Sequence, residues 1–190
     1  MSDLRIGLGV DVHRFKDAPA LDLPTLDLPG VDAPAVDLQG AVDETAARTL
    51  VLGGVSFPGE PPLVGHSDAD AVAHAVADAI LGAAGLGDIG SHFPDTDELW
   101  RGADSLVLLA ECAARAKRAG WRLANADCTV VAERPRLAPV VAEMGALLSR
   151  AAGGPVHVKA TRPEGLGSLG RLEGLGCVAV ALLVRAEPTP

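Results

Sequence analysis

The order of strand-like runs and helix signals predicts a layered α/β or α+β domain, with strands and helices interleaving around one sheet. Three observations carry this expectation. Runs with strand character occur at 4–13, 127–132, 156–160 and 177–184, separated by segments that carry helix start and stop residues. An Ala-rich stretch after Ser67 ends at Gly85 and Gly87, as a helix of about four turns would. Hydrophobic residues make up 48% of the 190 residues and aromatics only 3%, which suits one domain whose core is built from Ala, Val and Leu.

Residues 4–13 read as the first strand. A five-residue repeat then runs through 21–40, from Leu21-Asp22-Leu23-Pro24-Thr25 to Val36-Asp37-Leu38-Gln39-Gly40. Pro24, Pro29 and Pro34 forbid a helix and block regular ladder bonds. The segment at about 16–47 is therefore expected to be an extended, Pro- and Asp-rich insert in a single domain spanning 1–190. It serves either as a tolerated loop expansion or as a partner-binding arm. Val51 to Phe57 reads as a hairpin turning at Gly53-Gly54. The Ala-rich helix follows, with Ser67 or Asp68 as its cap. Residues 87–97 form a loop rich in carboxylates. A second helix covers 104–119 and ends near Gly120. The strand at 127–132 precedes a third helix at 138–151, which Gly153-Gly154 ends, and 156–160 and 177–184 are the closing strands.

The formal charge is −9, from 25 acidic and 16 basic residues, which argues against a nucleic-acid partner. It leaves room for a phosphorylated substrate held by local cations, backbone N–H groups and a metal. Cys112, Cys128 and Cys177 are odd in number and lack metal-type spacing, so they read as reduced core thiols. No apolar run has signal-peptide or membrane-span length, so the expectation is a soluble, cytoplasmic protein with no membrane partner.

Candidate chemistry begins with Asp11-Val12-His13. On a strand these two potential ligands face the same way, because side chains alternate. His66-Ser67-Asp68-Ala69-Asp70 and His74 offer further ligands, and Asp70 and His74 share a helix face. A strand Asp and His with a helix His would make a three-ligand site with an open position, suited to zinc or another divalent transition metal. Such a site would use three of the five histidines, one of them facing the substrate. Gly165-Leu166-Gly167-Ser168-Leu169-Gly170 matches G-x-G-x-x-G, but it neither follows an early strand nor opens a long helix; it reads better as a loop near phosphate. Glu164 is either a ligand for a harder cation or a solvated carboxylate. Asp95 and Asp97 are either a ligand pair or, for Asp97, a helix cap. Lys159 and Arg171 are either phosphate partners or surface cations.

Together these residues resemble the 2-C-methyl-D-erythritol 2,4-cyclodiphosphate synthase family. The resemblance rests on Asp11-Val12-His13, on His66-Ser67-Asp68 through His74, and on Leu81-Gly82-Ala83-Ala84-Gly85-Leu86-Gly87-Asp88-Ile89-Gly90. It continues in Phe93-Pro94-Asp95-Thr96-Asp97 and in Gly170-Arg171 with Glu173-Gly174. It covers nearly the whole chain outside the insert.

The resemblance implies a four-stranded mixed sheet with helices packed on one face, assembled as a homotrimer with active sites between subunits. The small-molecule substrate would be 4-diphosphocytidyl-2-C-methyl-D-erythritol 2-phosphate, cyclised with release of CMP. Asp11, His13 and His74 look like the metal ligands. His66 and Ser67 would meet the substrate phosphate, and Asp88, Ile89, Gly90, Phe93, Asp95 and Asp97 would line the erythritol part. Ala132, Pro135 and Ala138 would line a cytidine pocket. Thr161 and Arg171 would touch phosphates, and Glu164 would hold magnesium or manganese. Four positions depart from the family pattern. Arg162 and Pro163 stand where a further Thr assists the transition state, so Arg162 either supplies a permanent cation there or crowds the phosphate. Ser168 replaces a Phe, and Leu172 replaces a Gly. Two competing readings follow: a zinc-dependent phosphohydrolase that uses water, and a catalytically impaired trimeric nucleotide-binding protein. Product analysis separates them from the synthase.

Overall fold

The protein is described here by a computed structural model covering residues 4–18 and 48–186. The repeat at 21–40 lies outside the described residues. In chain order the elements are β1 (Leu4–Arg14), β2 (Leu50–Leu52), β3 (Val55–Phe57), α1 (Ala71–Ala84), α2 (Ile89–His92), α3 (Ser105–Arg118), β4 (Trp121–Val131), α4 (Val141–Ala152), β5 (Val156–Thr161), α5 (Gly167–Gly170) and β6 (Gly174–Arg185), with a 3-10 turn at Glu98–Trp100. Four strands form one mixed sheet in the order β1-β6-β4-β5. The β1–β6 and β4–β6 pairs are antiparallel, and β4–β5 is parallel. β2 and β3 form the expected hairpin, turning through Gly53 and Gly54, both at positive φ.

Most differences from the sequence reading lie at element boundaries. β4 starts at Trp121, six residues before the expected 127, and ends at Val131. Its first half contains Ala124, Asn125 and Ala126, poor strand formers that pairing with β6 overrides, with a register shift between Leu123 and Asn125. β6 is longer than 177–184 at both ends because Gly174 and Gly176 pair with Arg14 and Val12. α4 begins at Val141, not 138. The loop at 87–97 contains the short α2, and the Gly-rich segment contains α5.

α1 starts at Ala71 because neither Ser67 nor Asp68 caps it. Asp70 does, accepting hydrogen bonds from the Val72 and Ala73 N–H groups. The same carboxylate accepts from Gly53 N at 2.8 Å and Gly54 N at 2.7 Å, which ties the β2–β3 hairpin to the helix. Both oxygens are thus occupied, and Asp70 is not a metal ligand. Gly85, in the left-handed conformation at φ 74, ends the helix as expected.

α1 packs directly on the sheet through glycine. A Cβ added at Gly7 would lie 2.0 Å from the Ala79 carbonyl oxygen, and one at Gly9 would lie 1.9 Å from that of Ala75. This close approach fixes where His74, at the start of α1, meets β1. The inward side chains of β1 follow the strand's alternation: Gly7 and Gly9, then Asp11 and His13. Cys112, Cys128 and Cys177 are free and buried, and burial pushes the Cys112 thiol up to about 12. The outward face of β1 presents Leu4, Ile6, Leu8, Val10 and Val12, all at least half exposed, and Val178 and Val180 of β6 lie beside them.

Candidate active site and metal centre

Asp11, His13 and His74 come together, each offering a ligand atom within 4.8 Å of the others. Asp11 bridges the two imidazoles: Oδ1 is 3.1 Å from His13 Nδ1, and Oδ2 is 3.1 Å from His74 Nδ1. Burial pushes the Asp11 carboxyl up, but the His13 and His74 imidazoles beside it outweigh this and bring it down to about 2. Burial pushes His74 down, and the Asp11 carboxylate more than reverses that, so its net shift is up. His13 Nδ1 is buried and faces this cluster, and its 3.1 Å approach to Asp11 Oδ1 is an ion-pair contact without the alignment of a hydrogen bond. A buried ring nitrogen left without a hydrogen bond beside a carboxylate and a second imidazole fits a divalent metal, which would take its lone pair. Among the described residues this is the one His, Cys, Asp and Glu cluster of metal-binding geometry. Asp95, Asp97 and Glu164 are not part of it.

A cavity of about 110 Å³ adjoins the cluster, lined by His66, Ser67, His74, Ile89, Gly90, Phe93, Trp100 and Leu108. Backbone ties hold its mouth. His66 Nε2 lies 3.0 Å from the Asp97 carbonyl oxygen, and Gly102 N donates to the His66 carbonyl at 2.8 Å. Arg48 Nη1 donates to the carbonyls of Gly65 and Ser67. Asp97 caps the 3-10 turn through Leu99 N, which selects the capping alternative. Asp88 caps α2 in a capping box with Ser91, and exposed Asp95 lies in the turn before Asp97. Phe93 and Trp100 meet edge to face with centroids 4.9 Å apart, giving the cavity an aromatic wall.

Sequence reasoning missed several residues here. Trp100 was one aromatic in a polar loop, with no periodicity to place it. Asp78 accepts from Ile89 N at 2.7 Å and so positions α2, a contact visible only once α1 and α2 are folded together. Asp68, read as a helix cap within the group of candidate ligands, and Ser105, which no motif singled out, both belong to the network on the far side of His74.

A second cavity of about 210 Å³ is lined by Ala132, Pro135, Arg136, Leu137, Ala138, Ala160, Thr161 and Arg162. It gathers the residues read as a cytidine pocket, with Thr161 and Arg162 on its wall. The two sites share one end of the sheet. His13 pairs with Leu175 on β6, neighbouring Gly176 pairs with Val131 on β4, and Val131 pairs with Thr161 on β5. Three strand spacings put β1 and β5 about 14 Å apart there. Exposed Glu164 takes a left-handed φ of 53, and the next residue's N–H donates to Glu133 Oε1 at 2.6 Å. Lys159 pairs with Asp127, and Arg171 Nε donates to Glu173 Oε1 at 2.7 Å, so both cations already have carboxylate partners.

The YgbB family model matches residues 4–184. A protein named bifunctional enzyme IspD/IspF, from Anaeromyxobacter dehalogenans (strain 2CP-C), is 58% identical over 142 residues. That match covers 73% of this chain and 36% of the relative, so the chain spans about a third of that protein's length. A protein named 2-C-methyl-D-erythritol 2,4-cyclodiphosphate synthase, from Burkholderia ambifaria (strain MC40-6), is 46% identical over 187 residues, covering 97% of this chain and 98% of its own. The solved structure of IspF from Plasmodium falciparum in complex with CDP has a TM-score of 0.71 and 26% identity, covering 97% of both chains. Sequence match and fold agree: the chain belongs to the YgbB family.

Proposed function

We propose that this chain converts 4-diphosphocytidyl-2-C-methyl-D-erythritol 2-phosphate to 2-C-methyl-D-erythritol 2,4-cyclodiphosphate with release of CMP, within non-mevalonate isoprenoid biosynthesis in the cytoplasm. The observation that carries the reading is the Asp11, His13 and His74 cluster, with its His13 nitrogen left without a hydrogen bond, opening beside His66 and Ser67. The name of the Burkholderia relative and the CDP held by the Plasmodium protein support the substrate class.

In this reading an oxygen of the 2-phosphate forms a bond to the β-phosphorus. The bond from that phosphorus to the oxygen bridging the two phosphates breaks, and CMP leaves with the bridging oxygen. Little covalent chemistry falls to the protein, so positioning and charge neutralisation do most of the work. Asp11, His13 and His74 would hold a divalent transition metal such as zinc, which supplies Lewis-acid charge to a phosphate oxygen. His66 and Ser67 orient that phosphate by hydrogen bonding. Ile89, Gly90 and Phe93 exclude water around the erythritol part, with Asp88, Asp95 and Asp97 accepting from its hydroxyls. Ala132, Pro135 and Ala138 seat the cytosine ring. Thr161 and Arg162 donate to the diphosphate, Arg162 with a permanent charge where the resemblance expects a Thr. Glu164 would hold magnesium or manganese, and Arg171 would meet the phosphates. The functional assembly is a homotrimer.

The test is CMP release from the authentic substrate by purified protein with zinc and magnesium, beside a His13→Ala control. Metal-dependent CMP and cyclic diphosphate, lost in the control, support the reading. Free phosphate in place of cyclic product points to the hydrolase. CDP binding without CMP release from a metal-loaded protein points to the impaired binding protein.

A further inference from the structure

His74 carries a second set of contacts on the side of its ring away from Asp11. Its Nε2 lies 2.9 Å from Ser105 Oγ and 3.1 Å from Ser67 Oγ. Ser105 is 1% exposed and is the first residue of α3. Its hydroxyl donates to Asp68 Oδ1, and its backbone N–H reaches Asp68 Oδ2 at 3.2 Å. Asp68 is held in turn by its own N–H, which donates to the Ala103 carbonyl at 3.1 Å.

The donor inventory of these groups fixes the direction of the chain. A carboxylate accepts only, and a serine hydroxyl has one proton. Because Ser105 gives that proton to Asp68, it can only accept from His74. The nitrogen facing it must then be the N–H, so Nδ1, which without a metal shares a proton with Asp11, is the nitrogen left to give a lone pair to a metal. Nδ1 is the atom that faces Asp11 and the cluster. A ring protonated at Nδ1 alone would keep its bond to Asp11 but would leave Ser105 and His74 with two acceptors in contact. Ser67 is the more distant of the two hydroxyls; it accepts from Ala69 N and also lies 3.4 Å from Ser105 Oγ.

We propose that Asp68 and Ser105 are positioning residues that hold His74 in its Nε2–H tautomer and aim Nδ1 at the metal. This deepens the proposed function and rests on its metal reading. Partners of this kind behind a ligating imidazole change metal affinity by about 10–100-fold.

The test compares wild type, Ser105→Ala, Ser105→Thr and His13→Ala in two measurements. The first is cobalt affinity by chelator competition, with the cobalt absorption spectrum as the record of site geometry. Ser105→Ala is expected to bind about 10–100-fold more weakly with an altered spectrum, and Ser105→Thr, which keeps the hydroxyl, to restore both. Ser105→Ala binding as wild type does would overturn the proposal. The second measurement is the 15N shifts of the His74 ring in metal-free protein. A protonated Nε2 in wild type, with or without a second proton shared between Nδ1 and Asp11, that loses occupancy in Ser105→Ala supports the proposal, and an unchanged Nε2 overturns it. If wild type binds no more cobalt than His13→Ala, the metal reading has failed, and the ring shifts alone decide the positioning role. A cooperative melt of each metal-free variant confirms that only folded protein is compared.

Discussion

Gly9 sets the distance between the first strand and the helix above it, and with it the geometry of the metal cluster. A Cβ at Gly9 would lie 1.9 Å from the Ala75 carbonyl oxygen and 2.7 Å from Ala79 N, and both are helix backbone that no rotamer change can move aside. Gly9→Ala is therefore expected to push α1 off the sheet and to cost about 3 kcal/mol by denaturant unfolding. Because His74 is the residue before Ala75, the same substitution should weaken cobalt binding, while an exposed helical control such as Gly82→Ala, whose added Cβ meets nothing closer than 3.9 Å, should leave it alone. Wild-type stability in Gly9→Ala would show that the contact is softer than it looks. The ligand residues were legible in the sequence because Asp-x-His on a strand has one geometric meaning. The glycines that bring the strand to the helix were not, since Gly7 and Gly9 stand in a run that reads simply as a strand, and nothing in the sequence says which backbone approaches them. Leu172 is a related case: it holds a left-handed φ of 65 where the resemblance expects Gly, and only the folded backbone exposes that conflict.

The link between the β2–β3 hairpin and α1 depends on one buried carboxylate. Asp70 is fully buried and accepts four N–H bonds, from Gly53, Gly54, Val72 and Ala73. Burial pushes its carboxyl up, and the N–H groups of Gly53, Gly54 and Ala73 only partly offset this. Asp70→Asn keeps the shape but turns one acceptor oxygen into a donor NH2 facing a donor N–H. The expected loss is about 3 kcal/mol, read from thermal or denaturant melts of metal-free protein. A loss below about 1 kcal/mol would mean that the hairpin is held by its apolar contacts instead. The helix itself was legible from its alanines and its Gly85 end. Its start was not, because Ser67, Asp68 and Asp70 are equally good caps by residue type, and the hairpin's two glycine N–H groups decide among them. The strand before Asp127 was hidden for a similar reason: pairing with β6, and not the propensity of Ala124-Asn125-Ala126, makes it a strand.

At the scale of the whole molecule, the sheet is covered by helices on one side and presents an apolar strip on the other. Leu4, Ile6, Leu8, Val10 and Val12 are between 54% and 73% exposed, and Val178 and Val180 extend the strip onto β6. A side chain of this size gains roughly 1.5–3 kcal/mol on full burial, so an isolated chain would leave a large apolar patch in water. In β1 the alternation that turns Asp11 and His13 inward also turns these five residues outward, so one strand carries both the cluster and the strip. The trimer reading gives the strip an occupant, a second and third copy of the same surface around a three-fold axis. Leu8→Asp tests it, because Leu8 is 63% exposed in the single chain and a carboxylate there should leave the protomer's own melt within about 0.5 kcal/mol. In a trimer the same substitution would place three carboxylates in a desolvated interface, where unpaired charge is strongly destabilising. Sedimentation equilibrium is expected to give a trimer for wild type and a monomer for Leu8→Asp. CMP release should fall with dissociation if neighbouring subunits complete the site. A Leu8→Asp protein that remains trimeric would place the interface on another surface, and a monomeric variant with full CMP release would show that each chain carries a complete site.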